Sequence, residues 1–191
     1  MAGKKVGILA LQGAFIEHEQ AFNDCGADAV QVRSLADLDK IDGLVIPGGE
    51  STTIGRLMQE FRLGDKILER AAQGMPIWGT CAGMILLAKD IAGSEQYRLG
   101  LMDIRVKRNA FGRQVDSFET DLDIEGLGQT RGVFIRAPYV EDCWGGARVL
   151  CRFRDIIVMV EQGRQYLATA FHPELTESRD VHRYFLDMMR I

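Results

Sequence analysis

Short apolar runs alternate with longer segments of helical periodicity through the first half of the chain. The apolar runs occupy residues 5–11, 29–33, 42–49 and 75–80. The helical segments occupy residues 15–26, 51–61 with a helical continuation over 65–74, and 81–93. Nearly continuous apolar runs are typical of strands that are buried on both faces of a sheet. Strands that alternate with helices predict parallel pairing through right-handed crossovers.

The second half of the chain has a different pattern. Strands are predicted at residues 101–112, 113–124, 132–138, 156–163 and 165–174, and an amphipathic helix is predicted at residues 177–191. A glycine-containing turn is expected between the first two of these strands. We find no internal repeat, low-complexity segment or linker. Residues 1–191 are therefore predicted to form a single α/β domain with a central, mostly parallel sheet that becomes mixed towards its second half.

Composition and charge exclude several classes of function. The chain has 47% hydrophobic residues, 26% charged residues and a formal net charge of −4, without a run of lysine and arginine that would favour nucleic acid. Its apolar runs are shorter than the ~20 residues that span a bilayer. Lys4 and Lys5 precede an apolar run as in a signal peptide, but Gln12 interrupts the run and Glu17 follows it. We expect a cytoplasmic protein without membrane or nucleic-acid partners.

Four cysteines are distributed along the chain without any C-x-x-C pair, which argues against a zinc site or a redox dithiol. We expect no bound metal, and free thiols in a reducing compartment. Cys25 is interpreted as a core residue at the end of a helix, and Cys143 and Cys151 as partly buried residues. The surroundings of Cys81 are different.

Cys81 lies at the centre of the sequence Gly79-Thr80-Cys81-Ala82-Gly83, between a predicted strand and a predicted helix. This is the G-x-nucleophile-x-G form of a nucleophile elbow, with sulfur in place of oxygen. The turn is strained and brings the strand and the helix close together, so side chains two residues before and after the nucleophile would clash. The helix N-terminus would favour a thiolate and would offer backbone N–H groups to an oxyanion.

A base for this thiol is expected among the three histidines. His18 and His182 lie among charged residues on predicted helices and are interpreted as solvated surface side chains. His172 instead ends an apolar strand, and Glu174 follows two residues later, on the same side of an extended chain. Pro173 favours extended geometry at His172. A carboxylate beside a histidine sets its tautomer, so Cys81, His172 and Glu174 form a candidate catalytic triad.

The sequence Pro47-Gly48-Gly49-Glu50-Ser51 follows a predicted buried strand. A pair of glycines lets the backbone approach a ligand or change the orientation of a peptide. The N–H of Gly49 would supply a second oxyanion donor beside that of Ala82. A phosphate-binding loop is less favoured, because the chain has no G-x-x-x-x-G-K-[ST] sequence.

Together these segments resemble a known family. GTCAG, FHPE and PGGES are similar to the motifs of class I, triad-type glutamine amidotransferases, which have a three-layer, flavodoxin-like fold. More narrowly, the chain resembles the glutaminase subunits of pyridoxal 5′-phosphate synthase along nearly its whole length. The segments that carry this resemblance are LALQGAFIEH, PGGESTTI, GTCAGMILLAK, RNAFGRQVDSFE, VFIRAP and FHPELTE.

The resemblance implies hydrolysis of L-glutamine to glutamate and ammonia. Cys81 would attack the side-chain amide, His172 would protonate the leaving ammonia and then activate water, and Glu174 would orient His172. The oxyanion would be bound by Gly49 and Ala82. By the same resemblance, glutamine would be held by Gly49, Glu50, Ser51, Arg108, Ile135 and Arg136. No cofactor is implied.

The resemblance also implies a partner that accepts the ammonia. In the family this is a (β/α)8-barrel synthase subunit that forms a dodecameric double ring carrying the glutaminase subunits. Near neutral pH, ammonia in water is mostly protonated and no longer nucleophilic, so a shielded path to the synthase is expected. The segment around Gln12 is expected to face the partner.

Other classes of protein stay open from the sequence. The chain could be the glutaminase of another biosynthetic amidotransferase, although those usually have a larger apolar residue at the position of Ala82. It could be another elbow-type cysteine hydrolase or peptidase, although these often have histidine directly after the cysteine. A regulatory subunit without catalysis is disfavoured, because Cys81, His172 and Glu174 are all present.

Overall fold

The computed structural model describes residues 4–108 and 117–189. The strands are β1 (Lys5–Leu9), β2 (Asp28–Val32), β3 (Gly43–Ile46), β4 (Ile77–Thr80), β5 (Ala88–Ile91), β6 (Met102–Lys107), β7 (Ser117–Ile124), β8 (Gly128–Ile135), β9 (Tyr139–Cys143), β10 (Ala147–Phe153), β11 (Ile156–Gln162) and β12 (Tyr166–Thr169). The helices are α1 (Phe15–Asp24), α2 (Leu35–Leu38), α3 (Ser51–Glu60), α4 (Leu63–Ala72), α5 (Ala82–Leu87) and α6 (Asp180–Met188), with a 3-10 helix at Pro173–Leu175. The glycine-containing turn predicted near residue 112 lies outside the described residues.

The first half of the sheet is parallel. Its strand order is β2-β1-β3-β4-β12, and each of these neighbours pairs in parallel. This is the 2-1-3-4-5 order of flavodoxin-like folds, so the predicted fold class is confirmed. β3 and β4 are buried at every position, as their uninterrupted apolar sequences predict.

The second half of the sheet is mixed. β11 pairs antiparallel with β12, β9 and β10, and β6 pairs antiparallel with β9 and parallel with β5. β7 and β8 form a separate antiparallel ribbon within the described residues. The predicted change from a parallel to a mixed sheet is therefore confirmed.

Alternating side chains of β4 contact the helices on the two faces of the sheet. The Trp78 ring packs at 5.0 Å from the ring of His182 in α6 and at 5.2 Å from that of His18 in α1. The next residue, Gly79, abuts the backbone of Gly83 in α5 on the other face. Because neighbouring residues of a strand point to opposite faces, α1 and α6 cover one face and α5 covers the other. The layers are helix, sheet and helix.

Several boundaries differ from the prediction. The long helical segment after residue 50 is two helices, because the chain turns at Arg62, whose φ is 58°. α5 ends at Leu87, where the sequence predicted a helix to residue 93, and β5 follows it directly. The sequence pattern did not predict α2, β9 or β10. In the described part of the chain, no helix is long and apolar enough to cross a membrane.

Candidate active site

Cys81 occupies a sharp turn between β4 and α5. Its φ is 51° and its ψ is −100°, a backbone conformation that residues other than glycine rarely adopt. The Cys81 N–H donates to the carbonyl oxygen of Thr169 in β12 at 2.8 Å, which ties the turn to the neighbouring strand. Strain of this kind is stored at functional sites when the surrounding structure holds it in place.

Gly79 and Gly83 let the strand and the helix meet at this turn. A Cβ atom on Gly79 would overlap the backbone of Gly83, and one on Gly83 would overlap the carbonyl oxygen of Ile46 in β3. The predicted clash of side chains two residues either side of Cys81 is therefore confirmed. Both glycines are needed for the packing of α5 against β3 and β4.

His172 reaches the same end of the sheet from β12. Thr169 of β12 pairs with Thr80 of β4, so the segments that follow these two strands emerge side by side. The His172 N–H donates to the Val133 carbonyl at 2.7 Å, and its Nδ1 lies 2.6 Å from Oε1 of Glu174. The two side chains meet because the chain enters a 3-10 turn at Pro173, and not, as predicted, because Glu174 continues an extended strand.

His172 and Glu174 form an ion pair. Burial opposes the charged form of His172, but interactions with Cys81 and Glu174 outweigh it and raise the pKa of His172 to about 10. Burial also opposes the charged form of Glu174, but its electrostatic interaction with His18 and its bond to His172 hold its pKa below the ordinary value. At neutral pH, His172 carries a proton and Glu174 is a carboxylate.

The two glycines after β3 lie directly against this pair. A Cβ on Gly48 would overlap the His172 ring and come within 3.4 Å of Cys81 Cβ. The Gly48 carbonyl accepts from the Ala14 N–H at 3.0 Å, and Gln12 Oε1 accepts from the Glu50 N–H at 2.7 Å. The segment after β1 therefore holds the loop on both sides of Gly49.

A cavity of about 490 Å³ opens beside Cys81. The residues that the sequence predicted to bind glutamine or its oxyanion all line it, together with Gln12, Cys81 and His172: these are Gly49, Glu50, Ser51, Ala82, Arg108, Ile135 and Arg136. Glu174 does not line the cavity, because its side chain lies behind His172 and is fully buried. The ends of β1, β3, β4 and β12 thus meet at one site, as expected at the carboxyl edge of a parallel sheet.

Hydrogen bonds connect several of the lining residues. Arg108 donates to Gln96 Oε1 at 3.1 Å and lies 3.8 Å from Glu50 Oε1, and Ser51 Oγ donates to the same Gln96 oxygen at 3.2 Å. Glu50 also caps α3, because its carboxylate accepts from the Thr53 N–H at 3.0 Å. Ser51 and Thr52, whose residue types commonly cap helices, lie one and two residues after this cap. Gln96 was not predicted, because its segment of the sequence has no periodic pattern.

The interpretation of His18 and His182 as surface residues is wrong. Both side chains are buried, and His18 Nε2 lies 3.4 Å from the carboxylate of Glu174. Charged neighbours in the sequence are uninformative here, because they project from other faces of the same helix. A usable signal is the helical spacing of His18 with Ala21 and Phe22, and of His182 with Phe185, since those neighbours are buried too.

Metal ligation has no support in the described residues, where no group of three or more histidine, cysteine, aspartate or glutamate side chains could hold an ion. The four cysteines are free thiols.

Residues 8–191 match the model of the SNO glutamine amidotransferase family. The chain belongs to this family. Curated relatives match this chain over nearly its full length. The chain is 61% identical over 185 residues to the "Pyridoxal 5'-phosphate synthase subunit PdxT" of Pelotomaculum thermopropionicum, covering 96% of this chain and 94% of the relative. It is 52% identical to the protein of the same name from Thermus thermophilus, covering 96% of each chain.

Two solved structures are similar to this chain in fold. A structure titled "Crystal structure of glutamine amidotransferase" superposes with a TM-score of 0.93 at 50% identity, covering 97% of this chain and 99% of that one. The structure of PurLQS from Thermotoga maritima superposes with a TM-score of 0.69 at 15% identity, covering 100% of both chains. The second likeness concerns the fold alone.

Proposed function

We propose that this protein hydrolyses L-glutamine to L-glutamate and ammonia, and that it supplies the ammonia to a synthase subunit that makes pyridoxal 5′-phosphate. The observation that carries the proposal is the strained Cys81 turn beside the His172–Glu174 pair, at the wall of one cavity. Family membership and the printed names of the relatives support the substrate and the pathway.

In the first half of the reaction, the Cys81 sulfur attacks the side-chain amide carbon of glutamine. His172 then gives its proton to the amide nitrogen, so that ammonia leaves and a γ-glutamyl thioester remains on Cys81. The raised pKa of His172, about 10, supports this assignment because it keeps the ring protonated in the resting enzyme.

In the second half, His172 takes a proton from water, and the resulting hydroxide attacks the thioester carbon. The carbon–sulfur bond breaks, glutamate leaves, and the thiolate and the protonated ring are restored. Glu174 holds the Nδ1–H of His172 throughout, which directs the other ring nitrogen towards the reacting atoms. Backbone N–H groups of Gly49 and Ala82 bind the oxyanion in both steps.

The polar residues that line the cavity support recognition of glutamine as an amino acid. Arg108 and Arg136 provide cations for the α-carboxylate, and Glu50 provides a carboxylate for the α-ammonium. Ser51 and the backbone of Gly49 and Ile135 complete the site. Amide hydrolysis by this route needs water and no cofactor.

The partner that we propose is a (β/α)8-barrel synthase subunit in a dodecameric core that carries the glutaminases. Gln12 lies on the segment that would contact it. Residues 1–191 would act as a single glutaminase domain in the cytoplasm, where the four free thiols would stay reduced.

The test uses the protein together with a pyridoxal 5′-phosphate synthase subunit, pentose and triose phosphates, and glutamine labelled with ¹⁵N in its side-chain amide. We expect ¹⁵N in the pyridine ring of the product and stoichiometric release of glutamate. Cys81→Ala should abolish both, and added ammonium should restore product formation with that variant. Glutamate release without labelled product would indicate the glutaminase of another synthase. If neither glutamate nor labelled product forms, the proposed function is contradicted.

A further inference from the structure

Buried polar side chains continue behind the His172–Glu174 pair, away from the cavity. The second carboxylate oxygen of Glu174, Oε2, lies 3.4 Å from Nε2 of His18. The same His18 nitrogen lies 3.0 Å from Thr80 Oγ1, and His18 Nδ1 lies 3.1 Å from Nε2 of His182. These side chains are excluded from solvent between the sheet and the helices α1 and α6.

The charge of Glu174 determines where the protons lie in this chain. A carboxylate repels the lone pair of a bare ring nitrogen, so the nitrogen of His18 that lies 3.4 Å from Glu174 Oε2 carries the proton. His18 Nε2–H then donates to Thr80 Oγ1 at 3.0 Å while it faces Glu174 Oε2, and His18 Nδ1 is left as an acceptor. That acceptor requires a proton on His182 Nε2, and His182 Nδ1, which has no hydrogen-bond partner in the described part of the chain, is the bare nitrogen.

Both histidines are neutral in this arrangement. Burial lowers the pKa of His18, against the attraction of Glu174 and Glu17, and His172 lowers it further. Burial, His18 and Arg179 keep the pKa of His182 well below its ordinary value. A neutral donor can bind the Glu174 carboxylate without competing with His172 for its charge.

Packing alone does not require polar residues here. The rings of Phe22 and Trp78 contact the two histidines, and Phe185 packs on both of those rings. Apolar side chains would therefore fill the same space without desolvating four ring nitrogens. Within the described residues Glu174 Oε2 forms no hydrogen bond of regular geometry, and His18 Nε2, at 3.4 Å, is the side-chain nitrogen that faces it. A carboxylate held by one oxygen can rotate, and rotation would release His172.

We propose that His18 is a positioning residue for glutamine hydrolysis: its Nε2–H holds Oε2 of Glu174, so that Oε1 stays on His172, and His182 sets the tautomer of His18. This inference rests on the proposed function. It concerns a contact behind Glu174, and His18 itself touches neither the substrate nor the reacting atoms.

The tautomers are measured first, on the wild-type protein with ¹⁵N-labelled histidine. Two-bond ¹H–¹⁵N correlation spectra distinguish Nε2–H from Nδ1–H in neutral imidazole. We expect Nε2–H for both His18 and His182, with neither ring titrating between pH 6 and 8. A proton on His18 Nδ1 would overturn the proposal, whatever the variants do.

Glutamine turnover in complex with the synthase subunit is then compared for three variants. His18→Leu removes the donor and should lower kcat by about 10- to 100-fold with KM for glutamine unchanged, as for other residues that orient a reactive histidine from behind. His18→Gln keeps an N–H near the position of Nε2 and should recover most of this loss. Phe22→Leu is the matched control, since Phe22 packs on His182 at 4.9 Å and forms no side-chain hydrogen bond.

The pH profile separates positioning from packing. Without the His18 N–H, burial raises the pKa of Glu174, so this carboxylate becomes protonated at a higher pH. The acid limb of kcat/KM should therefore lie at higher pH in His18→Leu than in the wild type. In His18→Gln and in Phe22→Leu it should lie at the wild-type pH.

Either of two results would contradict this inference and leave the proposed function intact. One is that His18→Leu has the same kcat and the same acid limb as Phe22→Leu. The other is that His18→Gln has no higher kcat than His18→Leu. Absence of glutamine turnover by the wild-type complex would instead contradict the proposed function and this inference with it.

Discussion

Cys81 combines a reactive side chain with a backbone conformation that costs free energy. In a residue other than glycine, a backbone with φ 51° raises the free energy of the folded state by about 1–3 kcal/mol. The strain is retained because α5, β4 and β12 hold the turn. This cost can be measured separately from activity.

Cys81→Gly should be more stable than Cys81→Ala by about 1 kcal/mol, because relief of the strain exceeds the larger backbone entropy that glycine loses on folding. The free energy of unfolding is measured for both variants by urea denaturation. The same pair of changes at Cys143, which lies in β9 with ordinary backbone angles, is the control and should favour alanine. Equal preference at the two positions would contradict strain at the turn.

A chloroketone analogue of glutamine should label Cys81 and spare the other thiols. Burial raises the pKa of Cys151 to about 11 and also raises that of Cys25, so few thiolates form there near neutral pH. Cys81 in addition lines the cavity that would bind the analogue. Peptide mapping after labelling checks this, with Cys81→Ala as the control, and equal labelling of all four cysteines would count against a specific pocket.

At the scale of elements, the site depends on how closely α5 approaches β3 and β4. Gly83→Ala would push a methyl group into the Ile46 carbonyl, which is backbone and cannot move aside cheaply. We expect a loss of about 3 kcal/mol in the free energy of unfolding, at the upper end for overpacking. Gly146→Ala is the control: among the described residues its Cβ would meet only a side-chain carbon at 3.5 Å, and a change near zero is expected. Similar losses in the two variants would argue against a close α5–β3 contact.

At the scale of the whole molecule, the loop after β3 connects the site to the surface that we expect the partner to contact. Gln12 and Ala14 bind the backbone on the two sides of Gly49. A partner that shifts the segment around Gln12 could therefore turn the Gly48–Gly49 peptide and aim its N–H at the oxyanion, which is a shift between two states of the loop.

The isolated chain should accordingly be a poor glutaminase. One missing oxyanion donor lowers the rate by about 10²–10³-fold, so saturation with the synthase subunit should raise glutamine turnover by a comparable factor. Gly49→Val should bind the partner but resist activation, because its Cβ would lie 2.5 Å from Gln12 Oε1. Sedimentation measures binding and glutamate release measures activation, with Gly146→Val as the control. Equal turnover with and without the partner would refute gating of the loop.

Much of the site could be predicted because it depends on local sequence. Gly79 is required by its contact with the Gly83 backbone inside one strand-turn-helix unit. Glu174 lies two residues from His172, so the spacing indicated that the two side chains meet, although the chain reaches this contact through a 3-10 turn. The identity of the fold follows in the same way from apolar runs that alternate with helical segments.

Only the tertiary structure decided which distant segments meet. The order β2-β1-β3-β4-β12 brings Gln12, Gly49, Cys81 and His172 to one edge of the sheet, and no local pattern encodes that order. His18 and His182 were misjudged for a related reason: their neighbours in sequence are charged, but the faces that they occupy pack together between α1, α6 and the sheet. The sequence by itself determined the reactive turn and the types of element, because these depend on steric contacts between nearby residues. Burial and the support of Glu174 depend on contacts between helix faces that are distant in sequence, as for His18 and His182, which are 164 positions apart.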